Sequence, residues 1–405
     1  MKNQDFLVKK ALGEAADGLC GKYVSDGPLS HLQLFLSVDG EVLLDHVCGS
    51  ARADGAPLRH DSLYRLASMT KPLTIAAALA LVEERLITLD TPVADILPEF
   101  AVPMVWTGRI AGNGELECEP CAQTMTLLDL LSHRAGFTYS IHRADALDRA
   151  YAEQGLDQFH QRRSGPDYAA ALARLPLLSP PGRRFHYSVS IDLLGVLLER
   201  VSGLGMEEVL RQRLFAPLGM EDSFFVVPPD RIDRLTDAWM WDDENGVPIL
   251  YDRGGHSRWR MKPRTVSAGG GLVSSARDYH RFLNMMMQRG ELDGARVLSP
   301  DHVALMMRNH LPGNADLAQE GAAPLSETTP HGVGMGLGAA VLLDPDRADM
   351  PGSPGLWFWG GLLSTGFFID PARRMIGLVM TQLMPSGMTA LREDFRRAIY
   401  EAIGD

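Results

Sequence analysis

Ser68 and Lys71 stand three residues apart in Leu66-Ala67-Ser68-Met69-Thr70-Lys71-Pro72, at the head of a long Ala- and Leu-rich stretch. A three-residue step on a helix puts two side chains on one face, one turn apart. The serine hydroxyl and the lysine amine therefore meet if the helix begins at or just before Ser68. A serine is a weak nucleophile until a base takes its proton, and a lysine kept neutral by desolvation can be that base. The S-x-x-K spacing is one that serine acyl-transfer chemistry uses. No other serine in the chain has a lysine three residues after it, and the six lysines are Lys2, Lys9, Lys10, Lys22, Lys71 and Lys262, the other basic residues being arginine. Arginine cannot give up its proton to serve as a base. Taken alone, the stretch is also compatible with an N-cap serine beside a solvated lysine.

Acyl transfer also needs a proton donor for the leaving group and hydrogen-bond donors for the oxyanion. Tyr187, in Gly182-Arg183-Arg184-Phe185-His186-Tyr187-Ser188, is the candidate relay. A phenol beside a protonated lysine has a lowered pKa and can pass a proton between Ser68 and a leaving oxygen. The alternative for Tyr187 is a half-buried loop tyrosine. His186 reads as structural, and His133 as a core histidine that fixes a helix end. Phe137, Tyr139, Trp239, Trp241 and Trp259 fall in segments expected to wall a cleft, although single aromatics more often belong to the core.

These residues must be held by a scaffold whose elements are legible in part. Residues 2–22 carry apolar positions at helical spacing. Leu32–Val38 and Glu41–Asp45 flank Asp39-Gly40, a strong hairpin signal. The nucleophile helix runs from Ser68 to about Glu84, with Pro72 in its first turns, where a missing N–H costs little. From Asp90 to about Pro263 helical patterns alternate with Pro/Gly loops. They include Thr126–His133, Ile191–Val201 and Met206–Leu214. After Val266 come the helix Asp278–Gln288, then strand candidates at Val333–Leu343, Trp357–Trp359, Thr365–Ile369 and Met375–Gln382, and a closing helix Met388–Ile403. Short strands with brief turns indicate an antiparallel meander. The expected fold class is α+β: an antiparallel sheet flanked by N- and C-terminal helices, with a large, mostly helical insertion. In domain terms, residues 1–86 and 264–405 form the sheet domain and 87–263 the insertion that walls the cleft. Pro312–Pro330 is the expected flexible loop.

The 405 residues carry a net charge of −12, which disfavours nucleic acid and anionic membrane surfaces as partners. The N-terminus lacks the apolar run of a secretory signal, and no stretch approaches membrane-spanning length, so the cytoplasm is the expected location. Cys118-Glu119-Pro120-Cys121 is a lone C-x-x-C without further ligands at metal spacing and reads as a polar loop with two thiols. No metal or cofactor is implied, and the oligomeric state is not encoded in any recognisable pattern.

In combination these segments resemble the serine β-lactamase-like superfamily: class C β-lactamases, D-alanyl-D-alanine carboxypeptidases and, most closely, family VIII carboxylesterases. The resemblance spans nearly the whole chain. It rests on Ser68-Met69-Thr70-Lys71, on Leu127–Gly136 as the L-L-x-H-x-x-G segment, on Pro181-Gly182 through Tyr187-Ser188, on the Ala268–Leu272 glycine turn, and on Trp359-Gly360-Gly361. It implies that Ser68 is acylated, that Lys71 is the base and Tyr187 the relay, and that the backbone N–H groups of Ser68 and Leu362 form the oxyanion hole. Two departures bear on substrate. Where lactamases and carboxypeptidases carry K-T-G, whose cation helps hold a substrate carboxylate, this chain has Trp359-Gly360-Gly361. Where class C lactamases carry Y-x-N, it has Tyr187-Ser188-Val189. Both favour an uncharged ester over a charged amide. Trp359, Gly360, Gly361, Ser188, Val189 and Tyr139 are the expected substrate-binding positions, and the expected partner is a small-molecule ester. A β-lactamase or transacylase of the same fold, or an idle penicillin-binding-like protein, are the alternatives.

Overall fold

A computed structural model of the chain describes residues 2–321, 325 and 328–404, with side chains from Leu7 onward. Part of the Pro312–Pro330 segment lies outside the described residues.

Helix α1 (Lys2–Cys20) leads into the hairpin β1 (His31–Val38) and β2 (Glu41–Gly49). Its turn is Asp39-Gly40, both with positive φ (51° and 82°), the handedness that matches the twist of the flanking strands. The short strand β3 (Leu63–Arg65) precedes a 3₁₀ turn, Ala67–Met69, and helix α2 (Thr70–Glu83). From Thr70 to Leu81 every residue of α2 is buried, as expected of a helix apolar all round. Helices α3 (Leu127–Leu131) and α4 (Ser190–Ser202) follow, then β4 (Val273–Ser275), α5 (Ala276–Met287), β5 (Val333–Met335), β6 (Ala340–Leu342), β7 (Trp357–Gly360), β8 (Gly366–Asp370), β9 (Met375–Met380) and α6 (Leu391–Ile403).

The main sheet has seven strands in the order β5-β6-β7-β8-β9-β1-β2, and every neighbouring pair is antiparallel. The N-terminal hairpin thus completes the C-terminal meander, with Gln33 opposite Met380 at the junction. Both faces are covered. Successive strand residues point to opposite sides, so the Phe367 ring meets Tyr279 of α5 at 5.5 Å while Phe368 meets Phe395 of α6 at 6.4 Å. This explains why β1 is buried at nearly every position instead of alternating.

The single strand expected over Val333–Leu343 is two strands, because the chain reverses where Gly336 N–H bonds to Ala339 O (2.8 Å). The central segment also contains strand pairs that helical spacing did not reveal. Met104–Ile110 pairs with Leu116–Pro120, and Ala238–Asp242 pairs with Val247–Asp252 and with Leu383–Met384. Cys118 lies in the first of these hairpins, and both it and Cys121 are free thiols.

A disulfide joins Cys20, at the end of α1, to Cys48 in β2. Disulfides are rare in reducing compartments, so this bond stands at odds with the cytoplasmic placement expected from the N-terminus. No described helix is long and apolar enough to cross a membrane. The bond closes a loop with a sequence separation of 28, and loops of this order stabilise by about 3–4 kcal/mol in the chain-entropy account. Cys48→Ser is therefore expected to lower Tm by several degrees without changing the fold. Thermal melts with and without reductant, beside the variant, measure it; equal melts in all three would show that the bond contributes nothing.

Candidate active site

Ser68 is presented by a turn that three neighbouring segments hold. Ala67 sits in the left-handed region (φ 46°), a costly conformation for a residue with a Cβ that persists only where its surroundings enforce it. Leu66 N–H bonds to Leu272 O at 2.8 Å, continuing the β3–β4 pairing. Thr365 Oγ1 donates to Leu66 O at 3.2 Å, Tyr279 Oη to Met69 O at 2.9 Å, and Leu272 N–H to Thr70 Oγ1 at 3.2 Å. Just upstream, the buried Arg65 is ion-paired to Asp252, and the Gln382 side chain both accepts from Arg65 N–H and donates to Arg65 O, each at 3.0 Å.

Lys71, on the first turn of α2, is 1% exposed. Its Nζ lies 3.1 Å from Ser68 Oγ and donates to Gly269 O at 2.9 Å. It stands 4.7 Å from the Tyr187 ring centroid and 5.4 Å from that of Tyr139. The expected triad of Ser68, Lys71 and Tyr187 is therefore brought together from two separate segments. Tyr187 is packed by Tyr139 and Trp359, each with its ring 5.4 Å away, and by His133 at 4.9 Å. Burial, and then the nearby Lys71 charge, hold the His133 imidazole well below its usual pKa. His133 is thus neutral, and its Nδ1 accepts from Ser188 N–H at 3.3 Å. His142 Nε2 meets Tyr187 O at 2.8 Å from the other side.

A narrow cleft of about 50 Å³ opens onto this group; Ser68, Lys71, Tyr139, Tyr187 and Leu362 line it. Of the expected substrate-binding residues only Tyr139 is on that wall. Ser188 and Val189 are both fully buried: the Ser188 hydroxyl turns toward Ser190 Oγ (2.8 Å) and His133, and Val189 belongs to the core. Trp359 is also buried and stands behind the Tyr187 ring, without lining the cleft. Gly360 and Gly361 serve close approach. A Cβ on Gly360 would lie 2.4 Å from the Arg392 guanidinium, and one on Gly361 would lie 2.3 Å from Leu66 O. At Gly361 the facing strand thus comes as near to the nucleophile turn as backbone allows.

Asp192 was not anticipated. It is buried in the first turn of α4 and lines the cleft. Its Oδ1 accepts from Ser267 Oγ (2.6 Å) and from Gly269 N–H (3.2 Å), and its Oδ2 from Tyr139 Oη (3.4 Å). It thereby fixes the residue whose carbonyl holds Lys71. Burial raises its pKa, while the Lys71 charge and these hydrogen bonds pull the other way. An acid in an otherwise apolar helix start, five residues after Tyr187, was the available signal. Asp157 also lines the cleft and accepts from Ser140 N–H at 2.8 Å. Among the described residues no group of three or more His, Cys, Asp or Glu could hold a metal ion.

The β-lactamase family model matches residues 23–401. The chain belongs to the β-lactamase family. Protein Rv1367c of Mycobacterium tuberculosis is 34% identical over 82% of this chain and 80% of its own length. Esterase EstB of Burkholderia gladioli is 31% identical, covering 89% and 88% of the two chains. The solved structure of EstCE1, a hydrolase with promiscuous acyltransferase activity, superposes with a TM-score of 0.80 at 24% identity, covering 97% of this chain and 99% of that one. Further relatives are a lovastatin esterase and acyltransferases, at 26–30% identity. This family member therefore shares its fold with hydrolases and acyl-transfer enzymes.

Gly361→Ala tests the close approach. Because the clash is with backbone, relief requires the facing strand or the nucleophile turn to move. The expected cost is about 1–3 kcal/mol of stability and a loss of activity on the order of a hundredfold, typical of a misplaced site. A denaturant melt and a rate measurement check both, and an alanine variant with unchanged rate would show that the approach has no part in the chemistry.

Proposed function

We propose that this protein is a carboxylesterase that cleaves small to medium esters through an acyl-Ser68 intermediate. The observation that carries the reading is the 3.1 Å contact between Ser68 Oγ and the buried Lys71 amine, which a backbone carbonyl orients. In its neutral form Lys71 takes the Ser68 proton as Oγ attacks the ester carbonyl carbon. The C–O double bond opens to an oxyanion, which the N–H groups of Ser68 and Leu362 receive. The tetrahedral adduct collapses, the ester C–O bond breaks, and Tyr187 delivers a proton to the departing alkoxide. Water then attacks the acyl-serine by the reverse path and releases the acid. The proximity of the Tyr187 ring to Lys71, at 4.7 Å, supports a shared proton path.

The absence of a strand lysine at Trp359 and the burial of Trp359 and Val189 support an ester over a β-lactam. Acyl transfer to an alcohol is the second reading, favoured by the acyltransferases among the relatives. Both use the same acyl-enzyme and differ only in whether water or an alcohol takes the acyl group.

Ser68→Ala is expected to abolish hydrolysis of p-nitrophenyl butyrate and to leave the thermal melt nearly unchanged. Wild-type protein should gain the acyl mass on Ser68 in a rapid-quench mass spectrum, and the variant should not. Comparable turnover by the alanine variant would remove Ser68 as nucleophile. Faster cleavage of a chromogenic cephalosporin than of the butyrate would overturn the ester assignment, and a butyl ester product in added butanol would favour the transferase reading.

Tyr187→Phe should lower kcat by roughly 10²–10⁴-fold, the usual range for a positioned proton donor, with a smaller change in KM. Asp192→Asn keeps the shape and removes the charge. Through Gly269 it is expected to shift the pH dependence of kcat/KM, an effect a purely packing role would not produce. A pH–rate profile superposable on wild type would exclude that influence on Lys71.

A further inference from the structure

The cavity behind the Gly361–Thr365 turn holds a cation that the acyl-transfer chemistry does not use. Arg396, on α6 one turn after Arg392, is only 5% exposed, yet its Nε meets no hydrogen-bond partner. Among the described residues no carboxylate forms an ion pair with it, and its guanidinium rests 5.1 Å from the Phe358 ring centroid. Burial lowers its pKa only to about 10, so it is charged at neutral pH. A buried charge without a counter-ion is costly, and a guanidinium is shaped to take a carboxylate through two parallel hydrogen bonds.

Arg396 lines a cavity of about 620 Å³ together with Ser364, Met388, Thr389 and Arg392, with the exposed Glu393 at its rim. One turn contributes a residue to this cavity and another to the cleft at Ser68. Ser364 lines the one and Leu362 the other, two residues apart in a single turn. Arg392 Nη2 donates to Gly361 O of that turn at 2.8 Å.

We propose that this cavity is a carboxylate-binding subsite in which Arg396 holds an anionic group carried by the ester, away from the bond that Ser68 attacks. The source of the carboxylate rests on the esterase reading, whereas the anion site itself does not. The subsite narrows the substrate class to esters with a free carboxylate on the acyl or the alcohol side.

Two matched pairs of esters test this. p-Nitrophenyl valerate and mono-p-nitrophenyl glutarate differ by a carboxylate on the acyl chain; 4-acetoxybenzamide and 4-acetoxybenzoate differ by one on the leaving group. Arg396→Met removes the charge and keeps the bulk. For the charged member of at least one pair, KM is expected to rise about 10–100-fold, the range of a lost charge-assisted hydrogen bond. The neutral members should stay within about twofold, and Arg396→Lys should recover part of the loss. Equal losses for charged and neutral esters, or no loss with any, overturn the proposal. If Arg396→Met fails to fold, Arg396→Lys and Arg396→Gln carry the same comparison. If the wild type turns over none of the four, the esterase reading fails, and calorimetric titration of glutarate then decides the subsite alone. Binding that Arg396→Met abolishes supports it, and absent or unchanged binding removes it. Arginine-dependent glutarate binding without any preference for charged esters would assign the site to a free anion and overturn its role in substrate choice.

Discussion

The site depends on the close approach of two backbone turns. One is the strained Leu66–Ser68 turn that presents the Ser68 hydroxyl, and the other is the Gly361–Thr365 turn at the end of β7. A methyl group on Gly361 would penetrate Leu66 O, so the facing strand can reach this turn only as bare backbone. Other contacts hold that approach in place. Thr365 bonds to Leu66 O, the β3–β4 ladder ties the nucleophile turn to the glycine-rich turn, and Arg65 is clamped between Gln382 and Asp252. The left-handed Ala67 costs on the order of 1–3 kcal/mol, which a network of this extent can offset. On the proposed mechanism the donors of the oxyanion hole come one from each turn. Their separation is then fixed by packing that exists before any substrate arrives, which is what electrostatic preorganisation requires.

A second constraint is the handling of buried charge around Lys71. The amine has a carbonyl acceptor in Gly269 and the faces of Tyr187 and Tyr139 on its flanks. The adjacent His133 is kept neutral by its burial, so no second cation competes. Asp192 supplies a carboxylate that accepts from the N–H of Gly269, the residue whose carbonyl takes the amine's hydrogen bond. The acid thus fixes the geometry of the amine's acceptor and adds its field beside it.

Sequence patterns reveal side chains that share one element better than they reveal which wall a side chain faces. Ser68 and Lys71 were legible because helical spacing encodes their contact, and Tyr187 because the chemistry demanded a phenol. The hairpin at Asp39-Gly40 and the joining of both chain ends in one sheet were legible from turn chemistry and strand order. Ser188, Val189 and Trp359 stand beside motif residues in sequence, but adjacency does not set which way a side chain points, and all three are buried behind the cleft. Asp192 was hidden because an acid in a helix's first turn ordinarily reads as a partner of the helix dipole. Its hydrogen bonds reach Ser267 and Gly269, more than seventy positions away in sequence. The Cys20–Cys48 bond is equally non-local, and nothing in the spacing marked it.

The distribution of cations suggests how one scaffold can serve different acyl substrates. A lysine on the facing strand would stand beside the nucleophile and add positive charge where Lys71 must lose a proton to act as base. This chain has buried tryptophan there and carries Arg392 and Arg396 on α6, behind the Gly361–Thr365 turn. A charge in that position is separated from Lys71 by the turn itself, and its effect on the base is weaker for the distance. On the proposed mechanism it can therefore contribute to binding a distant anionic group while leaving the proton chemistry at Ser68 to Lys71 and Tyr187. Recognition and catalysis then rest on separate charges that meet only through the backbone of Gly361, whose carbonyl Arg392 holds.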